Sequence, residues 1–315
     1  MTDHRQTDGS ECPDQMTPDP ITFLHQRLAE AREQLMAAGI APAEAAIDVD
    51  LFTRTILGWD RARVLTARTE PAPAALEPRF SEWLLRRAHR EPSAYIVGNR
   101  EFWGLDFRVT SDVLIPRPET EFIVEESLAT LATMRLPSPR LADIGTGSGC
   151  LAISLLHEIA NAYVTATDVS HAALAVARDN ARRHGVAQRV TYVETSFLEG
   201  IDGPFDLIAA NPPYVKEGDK PALARDVRHE PDVALFGGAT GLNGVEAVLD
   251  AAVRTLASGG WLVMEFGFGQ EDDVRGLVGA RPSLRIDRIR ADLQGIPRTA
   301  VIQKQLGVGS VGIGN

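Results

Sequence analysis

From Arg140 onward the chain alternates between short apolar runs and amphipathic stretches, and this alternation limits the fold more than any other feature. "RLADI" (140–144) reads as a strand and "CLAISLLHEIA" (150–160) as a helix. "AYVTATD" (162–168) reads as a strand, and "SHAALAVARDNARRHG" (170–185) as a helix with Ser170 as its N-cap and Gly185 as its stop. Strands follow at "RVTYVE" (189–194) and "FDLIAA" (205–210). After a polar stretch from 215 to about 242 come a helix over 243–257, a strand "GGWLVMEFG" (259–267), a helix over 269–278, and strands near 284–290 and 299–305. Elements in this order predict an α/β fold with a parallel, doubly wound sheet. Such sheets bind ligands beyond the carboxyl ends of their strands.

The region before this has a different period. Between 21 and 92, Leu24, Leu28 and Leu35 share a helical face that Gly39 stops. Pro42 suits a first helical turn, and the pairs Ile47/Leu51 and Phe52/Ile56 extend a second helix. Leu76, Phe80, Trp83 and Leu84 repeat the helical spacing. A period of two then takes over in "YIVGNREFWGLDFRVT" (95–110), where Leu105, Phe107 and Val109 alternate with polar residues, which predicts a β-hairpin. "LIPRPETE" (114–121) leads into an amphipathic helix. The Asp/Pro/Thr-rich residues 1–20 and the Gly-rich residues 307–315 are expected to be disordered and flexible tails.

Charge and cysteine content exclude several function classes. The net charge is −11, and between 21 and 92 ten arginines are balanced by ten acids, so no segment is strongly basic. Tight, non-specific nucleic-acid binding needs such a basic face. No run of about 18 apolar residues exists to span a membrane. The polar, acidic start resembles neither a signal peptide nor an Arg-rich transit peptide. Cys12 and Cys150 lie far apart and suggest neither a disulfide framework nor a zinc site, so a reducing cytoplasm is expected.

Three motifs carry chemistry. In "DIGTGSG" (143–149) a strand ends and a helix opens. Gly145, Gly147 and Gly149 let a ligand press against the backbone, and the helix N-terminus offers free N–H donors. The spacing is neither the dinucleotide fingerprint nor a Walker loop; a purely structural Gly-rich turn is the alternative. Asp168 ends the next strand, where a carboxylate can accept both hydroxyls of a ribose; as a lone feature it would read as a helix-initiating acid. "AANPPYV" (209–215) closes an apolar strand with Asn211, Pro212, Pro213 and Tyr214. Each proline fixes its own φ, lacks an N–H and holds the preceding residue extended. The result is a stiff corner with one amide, free backbone carbonyls and one aromatic ring.

Together these motifs resemble the class I S-adenosylmethionine-dependent methyltransferases, and the NPPY corner resembles that of members acting on planar amine or amide nitrogens. The blocks at 95–121, 229–244 ("HEPDVALFGGATGLNG"), 265–270 ("EFGFGQ") and 292–298 ("DLQGIPR") are similar to the protein glutamine N5-methyltransferases of the release-factor type. The similarity covers roughly residues 21–305. It implies a Rossmann-like, seven-stranded doubly wound sheet preceded by a small N-terminal helical domain that a β-hairpin joins to it. The implied divisions are a helical substrate-docking domain at 21–94, the hairpin linker at 95–121 and the methyltransferase domain at 122–306. S-adenosylmethionine would be held by Gly145, Thr146, Gly147, Ser148, Gly149, Asp168, Phe197 and Asn211. The acceptor would lie against Asn211, Pro212, Pro213 and Tyr214, with Asn211 and Pro212 catalytic through their carbonyl oxygens and Tyr214 stacked on the flat group. No metal is implied. The implied acceptor is the glutamine of the Gly-Gly-Gln loop of class I release factors, methylated by a monomer without membrane or nucleic acid.

Alternatives are glutamine methylation of a ribosomal protein, adenine-N6 methylation of nucleic acid, or an inactive cofactor-binding scaffold. One departure stands out: "ETSFL" places Ser196 where the family usually has an acid near the adenine, with Glu194 as a substitute or as a solvent-facing strand acid. Arg117, Glu119 and Glu121 read either as an edge of the cofactor pocket or as a capped helix start with an ion pair. His229 and Glu230 have no metal-like partners at useful spacing, and Phe102 and Trp103 read as hairpin core before substrate cage.

Overall fold

In the computed structural model, which describes residues 22–306, the leucines of the first helical stretch lie buried along one face of α1 (Leu24–Ala37). The tails expected at 1–20 and 307–315 lie outside the described residues. The chain divides into two compact units, Met1–His89 and Arg90–Asn315. The first continues with α2 (Pro42–Leu57), α3 (Arg61–Thr66) and α4 (Arg79–Ala88). Pro42 sits in the first turn of α2, and Gly58 ends that helix at φ 65°, a left-handed conformation that glycine adopts without strain.

The buried face of α2 keeps the expected Phe52 but is otherwise shifted. Ile47 is 64% exposed, and Ala45, Asp48, Val49 and Thr53 turn inward beside Phe52. The cause is polar. Arg87 of α4 is buried, and its Nε donates to Asp48 Oδ2 at 2.6 Å while its Nη2 donates to Glu44. A guanidinium taken out of water needs its carboxylate beside it, and this rotates Asp48 into the core at the expense of Ile47.

The second unit opens with α5 (Ser93–Val97), then β1 (Asn99–Phe102) and β2 (Leu105–Arg108), which pair antiparallel with Phe102 opposite Leu105. Trp103 and Gly104 turn the hairpin with φ 55° and 69°, the two positive values that a tight turn of this hand requires. The remaining elements are α6 (Glu121–Met134), β3 (Arg140–Ile144), α7 (Cys150–Glu158), β4 (Tyr163–Asp168), α8 (His171–Arg183), β5 (Val190–Glu194) and β6 (Phe205–Ala210). They are followed by α9 (Asp232–Leu235), α10 (Asn243–Thr255), β7 (Leu256–Glu265), α11 (Glu271–Gly279), β8 (Leu284–Ala291) and β9 (Pro297–Lys304).

β3 to β9 form one seven-stranded sheet in the order β5-β4-β3-β6-β7-β9-β8. The strands β3 to β7 pair in parallel, whereas β9 runs antiparallel to both β7 and β8. The sheet is therefore mixed rather than wholly parallel. The loop 292–296 between β8 and β9 is too short for a crossover, so β9 must reverse, and it inserts between β7 and β8. Side chains alternate between two cores. Leu141, Leu207, Ala209 and Val263 face the α6 and α7 side, and Ala142, Ile144, Ile208, Ala210 and Met264 face the α10 and α11 side. Among the described residues no helix is long and apolar enough to cross a membrane.

The order of winding reverses at β3, and the register there positions the site. Ile144 stands opposite both Thr167 of β4 and Ala210 of β6. The next residues, Gly145, Asp168 and Asn211, therefore leave the sheet side by side.

Asn180 of α8 locks the hairpin to this edge. It is fully buried. Its Nδ2 donates to Ser148 O at 2.8 Å and Arg108 O at 2.9 Å, and its Oδ1 accepts from Arg108 N at 2.8 Å. Asn180→Ala leaves one donor and two acceptors stranded, so it should cost about 1–3 kcal/mol of unfolding free energy. Urea denaturation of the two proteins measures this, and equal midpoints would show that the bridge contributes nothing.

Candidate active site

The glycine loop is held from both ends. Gly145, Gly147 and Gly149 have φ of 70°, 54° and 83°. At Gly149 a side chain would also collide, since its Cβ would sit 3.0 Å from Ile153 Cδ1 and 3.2 Å from Ala177 Cβ. Asp143, buried at the end of β3, accepts from Thr146 Oγ1 at 2.7 Å and from Ala152 N at 3.1 Å through the same oxygen. Thr146 N donates to Thr167 O at 2.8 Å, which ties the loop to β4. Thr146 and Ser148 are themselves buried, so the loop presents chiefly backbone.

Asp168 closes the second side. Its Oδ2 accepts from Gly147 N at 3.0 Å and its Oδ1 from Ser170 N at 2.9 Å, leaving lone pairs on both oxygens. Burial pushes its carboxyl above the ordinary range. Ser196 and Phe197 form the third side, with Phe197 at φ 51°. Glu194 is not there: its Oε2 meets His171 Nδ1 at 2.9 Å on the surface. The strand acid thus faces solvent, and Glu194 does not stand in for an acid at Ser196.

A cavity of about 460 Å³ runs from the glycine loop to the asparagine corner. Its lining combines Gly145–Ser148, Asp168, Ser196 and Phe197 with the apolar Ile144, Leu151 and Val169. Nothing lies within 4 Å of where a Cβ would stand on Gly145, so its backbone faces open space. Open glycine backbone, a carboxylate with free lone pairs and an aromatic ring are the complement of a nucleoside carrying a polar tail. The donor set fits S-adenosylmethionine.

Of the four corner residues, Asn211, Pro212 and Pro213 line the cavity and Tyr214 does not. Its hydroxyl turns inward and donates to Glu265 Oε1 at 2.9 Å, so the ring is not placed to stack on a flat group in the cavity. Asn211 Nδ2 donates to Thr120 Oγ1 at 3.0 Å, and Thr120 Oγ1 donates to Glu265 Oε2 at 2.8 Å. Burial raises the Glu265 carboxyl above its ordinary value, and the Tyr214 hydroxyl rises with it. Among the described residues no donor occupies Asn211 Oδ1 or the Pro212 carbonyl. The loop 229–244 packs closely on this corner, since a Cβ on Gly237 or Gly244 would stand 2.5 or 2.7 Å from Pro213 O.

The remaining candidates that have partners are engaged within the protein. Glu121 Oε1 accepts from Trp103 N at 2.9 Å and so fixes the hairpin turn, while Phe102 is core. Arg117 lines the cavity but is paired with Glu230, whose other oxygen accepts from Ile115 N at 3.2 Å. His229 is exposed, and no group of three metal-binding side chains exists among the described residues. Sequence reasoning missed Thr120 and Glu265. An acid inside the apolar run "WLVMEF" is the signal that could have found the second.

Burial raises the Asp143 carboxyl from 3.8 to about 6. The folded chain therefore holds this proton more tightly than the unfolded one. The resulting stability is fully present below about pH 3.8 and is lost as pH rises through about 6. Asp143→Asn cannot titrate. Its melting temperature relative to the wild type should therefore rise between pH 4 and about 6, read by differential scanning calorimetry in matched buffers. A flat difference would show that Asp143 ionises at its ordinary value.

Comparison with known proteins agrees with this geometry. Residues 26–98 match the family described as PrmC N-terminal domain, and residues 126–236 match Methyltransferase small domain. The release factor glutamine methyltransferase of Bradyrhizobium diazoefficiens is 40% identical over 92% of this chain and 99% of its own. That of Nitratidesulfovibrio vulgaris is 45% identical over 90% of this chain and 96% of its own. The hMettl16 catalytic domain, solved with a MAT2A 3′UTR hairpin, shares the fold with a TM-score of 0.53 at 16% identity, over 69% of this chain and 81% of that one. With relatives this similar over nearly the whole length, the chain belongs to the release factor glutamine methyltransferase family.

Proposed function

We propose that this chain transfers a methyl group from S-adenosylmethionine to the side-chain amide nitrogen (N5) of the glutamine in the Gly-Gly-Gln loop of class I release factors. The observation that carries the chemistry is the emergence of Asn211 in register beside Gly145 and Asp168. The acceptor follows from the family. Bound S-adenosylmethionine supplies a methyl group on a cationic sulfur. Gly145–Gly149, Asp168 and Phe197 would hold it, with Asn211 at the boundary between donor and acceptor.

The chain's own task is to make a poor nucleophile reactive. An amide nitrogen shares its lone pair with the carbonyl. The Asn211 Oδ1 and the Pro212 carbonyl, both without donors here, each accept one N–H of the acceptor. This fixes the nitrogen and favours its pyramidal form, with the lone pair turned toward the methyl. The product nitrogen sheds its extra proton afterwards, so no base is needed beforehand. The corner contains none.

The reading extends to the partners. The enzyme acts as a cytoplasmic monomer on a folded protein, and the net charge of −11 supports a protein over a nucleic-acid acceptor. The helical segment 21–94, with its balanced charges, docks the factor away from the reacting group. A short Gly-Gly-Gln peptide is then a poorer substrate than the intact factor, because remote binding energy positions the glutamine.

Asp168→Ala should weaken S-adenosylmethionine binding by about 1–3 kcal/mol in calorimetry; unchanged affinity in a folded variant would remove Asp168 from the cofactor site. Asn211→Ala should keep cofactor binding and lose at least about 100-fold in kcat, because orientation is what it supplies. Methyl incorporation into intact factor, its Gln→Ala variant, short peptide and duplex DNA tests the acceptor. Label in DNA, or label undiminished in the Gln→Ala factor, would overturn the assignment.

A further inference from the structure

The Asn211 side chain has two ends of nearly equal size and opposite chemistry. Only its oxygen can accept an N–H from an acceptor amide. If the amide is reversed, its NH₂ meets the acceptor's NH₂, donor against donor. Stiff prolines hold the backbone, yet they do not decide which end of the amide faces the cavity.

The hydrogen-bond chain behind Asn211 does decide it. Above its pKa, which burial raises, the Glu265 carboxylate is ionised and only accepts. Both oxygens of Glu265 are engaged, Oε1 by the Tyr214 hydroxyl at 2.9 Å and Oε2 by the Thr120 hydroxyl at 2.8 Å. Thr120 has one proton, and it is committed to Glu265. Toward Asn211, 3.0 Å away, Thr120 has only lone pairs to offer. The NH₂ end of Asn211 must therefore face Thr120, which leaves Oδ1 turned to the cavity. Thr120 and Glu265 are 3% and 2% exposed, so little water reaches either partner.

The sheet builds this arrangement. Met264 of β7 stands opposite Ala210 of β6, so the residues that follow, Glu265 and Asn211, come to lie side by side. Thr120 enters from the turn that precedes α6 and bridges the two.

We propose that Glu265 and Thr120 are positioning residues that set the orientation of the Asn211 amide, turning its oxygen to the acceptor nitrogen. Tyr214 belongs to the same device, as the second hydroxyl that holds the carboxylate in place. The proposal rests on the methyl-transfer reading above.

The test uses the full chain with an intact class I release factor. Thr120→Val keeps the shape and removes the hydroxyl. It should lower kcat on the order of 100-fold, the scale of a small misplacement at a reacting centre, and leave the KM for the factor and the Kd for S-adenosylmethionine near their wild-type values. Thr120→Ser should restore most of the lost rate, and Glu265→Gln, which offers a donor as well as an acceptor, should also lower kcat. A second readout needs no acceptor. The side-chain NH₂ of Asn211, assigned by NMR through its absence in Asn211→Ala, should exchange slowly with solvent in the wild type and in Thr120→Ser, and rapidly in Thr120→Val. Wild-type kcat in folded Thr120→Val or Glu265→Gln would overturn the proposal, as would equal losses in Thr120→Ser and Thr120→Val. Wild-type protein that fails to methylate the factor would sink the methyl-transfer reading instead, and the exchange experiment would still decide how the amide is oriented.

Discussion

The site depends on the register of β3 with its two parallel neighbours. Because Ile144 pairs with both Thr167 and Ala210, three separate loops leave the sheet at one level. A slip of one residue in either ladder would invert every side chain of that strand between the two cores. The fully buried Leu207, Ala209, Ile208 and Ala210 forbid such a slip, since both faces of β6 are packed. The apolar alternation that stabilises the domain is thus the same feature that sets Gly145, Asp168 and Asn211 beside one another. Function here inherits its precision from the core.

Three carboxylates sit at this edge, and each is taken largely out of water. Asp143, Asp168 and Glu265 all have raised pKa values, with burial as the leading cause. None has a basic side chain as a hydrogen-bond partner. The acids that only hold the fold together are treated differently: Asp48 is paired with Arg87, and Glu126 receives Arg288 Nε at 2.8 Å and Arg290 Nη1 at 2.9 Å. A guanidinium paired with these three acids would satisfy them more fully, but it would draw off their lone pairs. Hydroxyls and backbone N–H groups satisfy these acids in part and, in return, give them control over direction. Asp143 directs Thr146 and the start of α7, and Glu265 directs Thr120 and Tyr214. The enzyme accepts a cost in stability to obtain donors and acceptors that point one way.

Much of this could be read from the residues. The glycine loop, the acid after β4 and the asparagine corner are local signals, because each depends on backbone conformations that only certain residues adopt. What escaped was non-local. Ile47 fitted a helical apolar stripe but lies outside the core, because Asp48 was drawn in by an arginine 39 positions away. Tyr214 read as a stacking ring until its hydroxyl found Glu265, 51 positions away. The reversal of β9 follows from loop length more than from strand composition, and the composition of β9 alone does not reveal it. Ser196 and Glu194 were visible as a departure, but only the bond from Glu194 to His171 shows that Glu194 does not take the place of the missing acid.

That last absence changes how the cofactor side must work. In the proposed binding mode, Ser196 cannot match the charge an acid would bring to an exocyclic amino group. Recognition of the adenine then shifts toward its faces. Phe197 is held at φ 51°, a conformation costly for a bulky residue, and such strain persists only where the surroundings over-determine it. Here Leu198, fully buried directly after it, anchors the segment into the α10-side core. The ring of Phe197 is thus fixed at the cavity wall without help from a neighbouring acid. On the acceptor side the same logic holds with hydrogen bonds in place of stacking: Asn211 is fixed by the backbone on one side and by Thr120 on the other. The groups that would meet adenine and acceptor, Phe197 and Asn211, are rigid and neutral, and Glu265, which steadies Asn211, stays behind the lining. A reaction that needs no acid or base, only a poor nucleophile and a cationic donor brought together at the right angle, is the one such a cavity is equipped to perform.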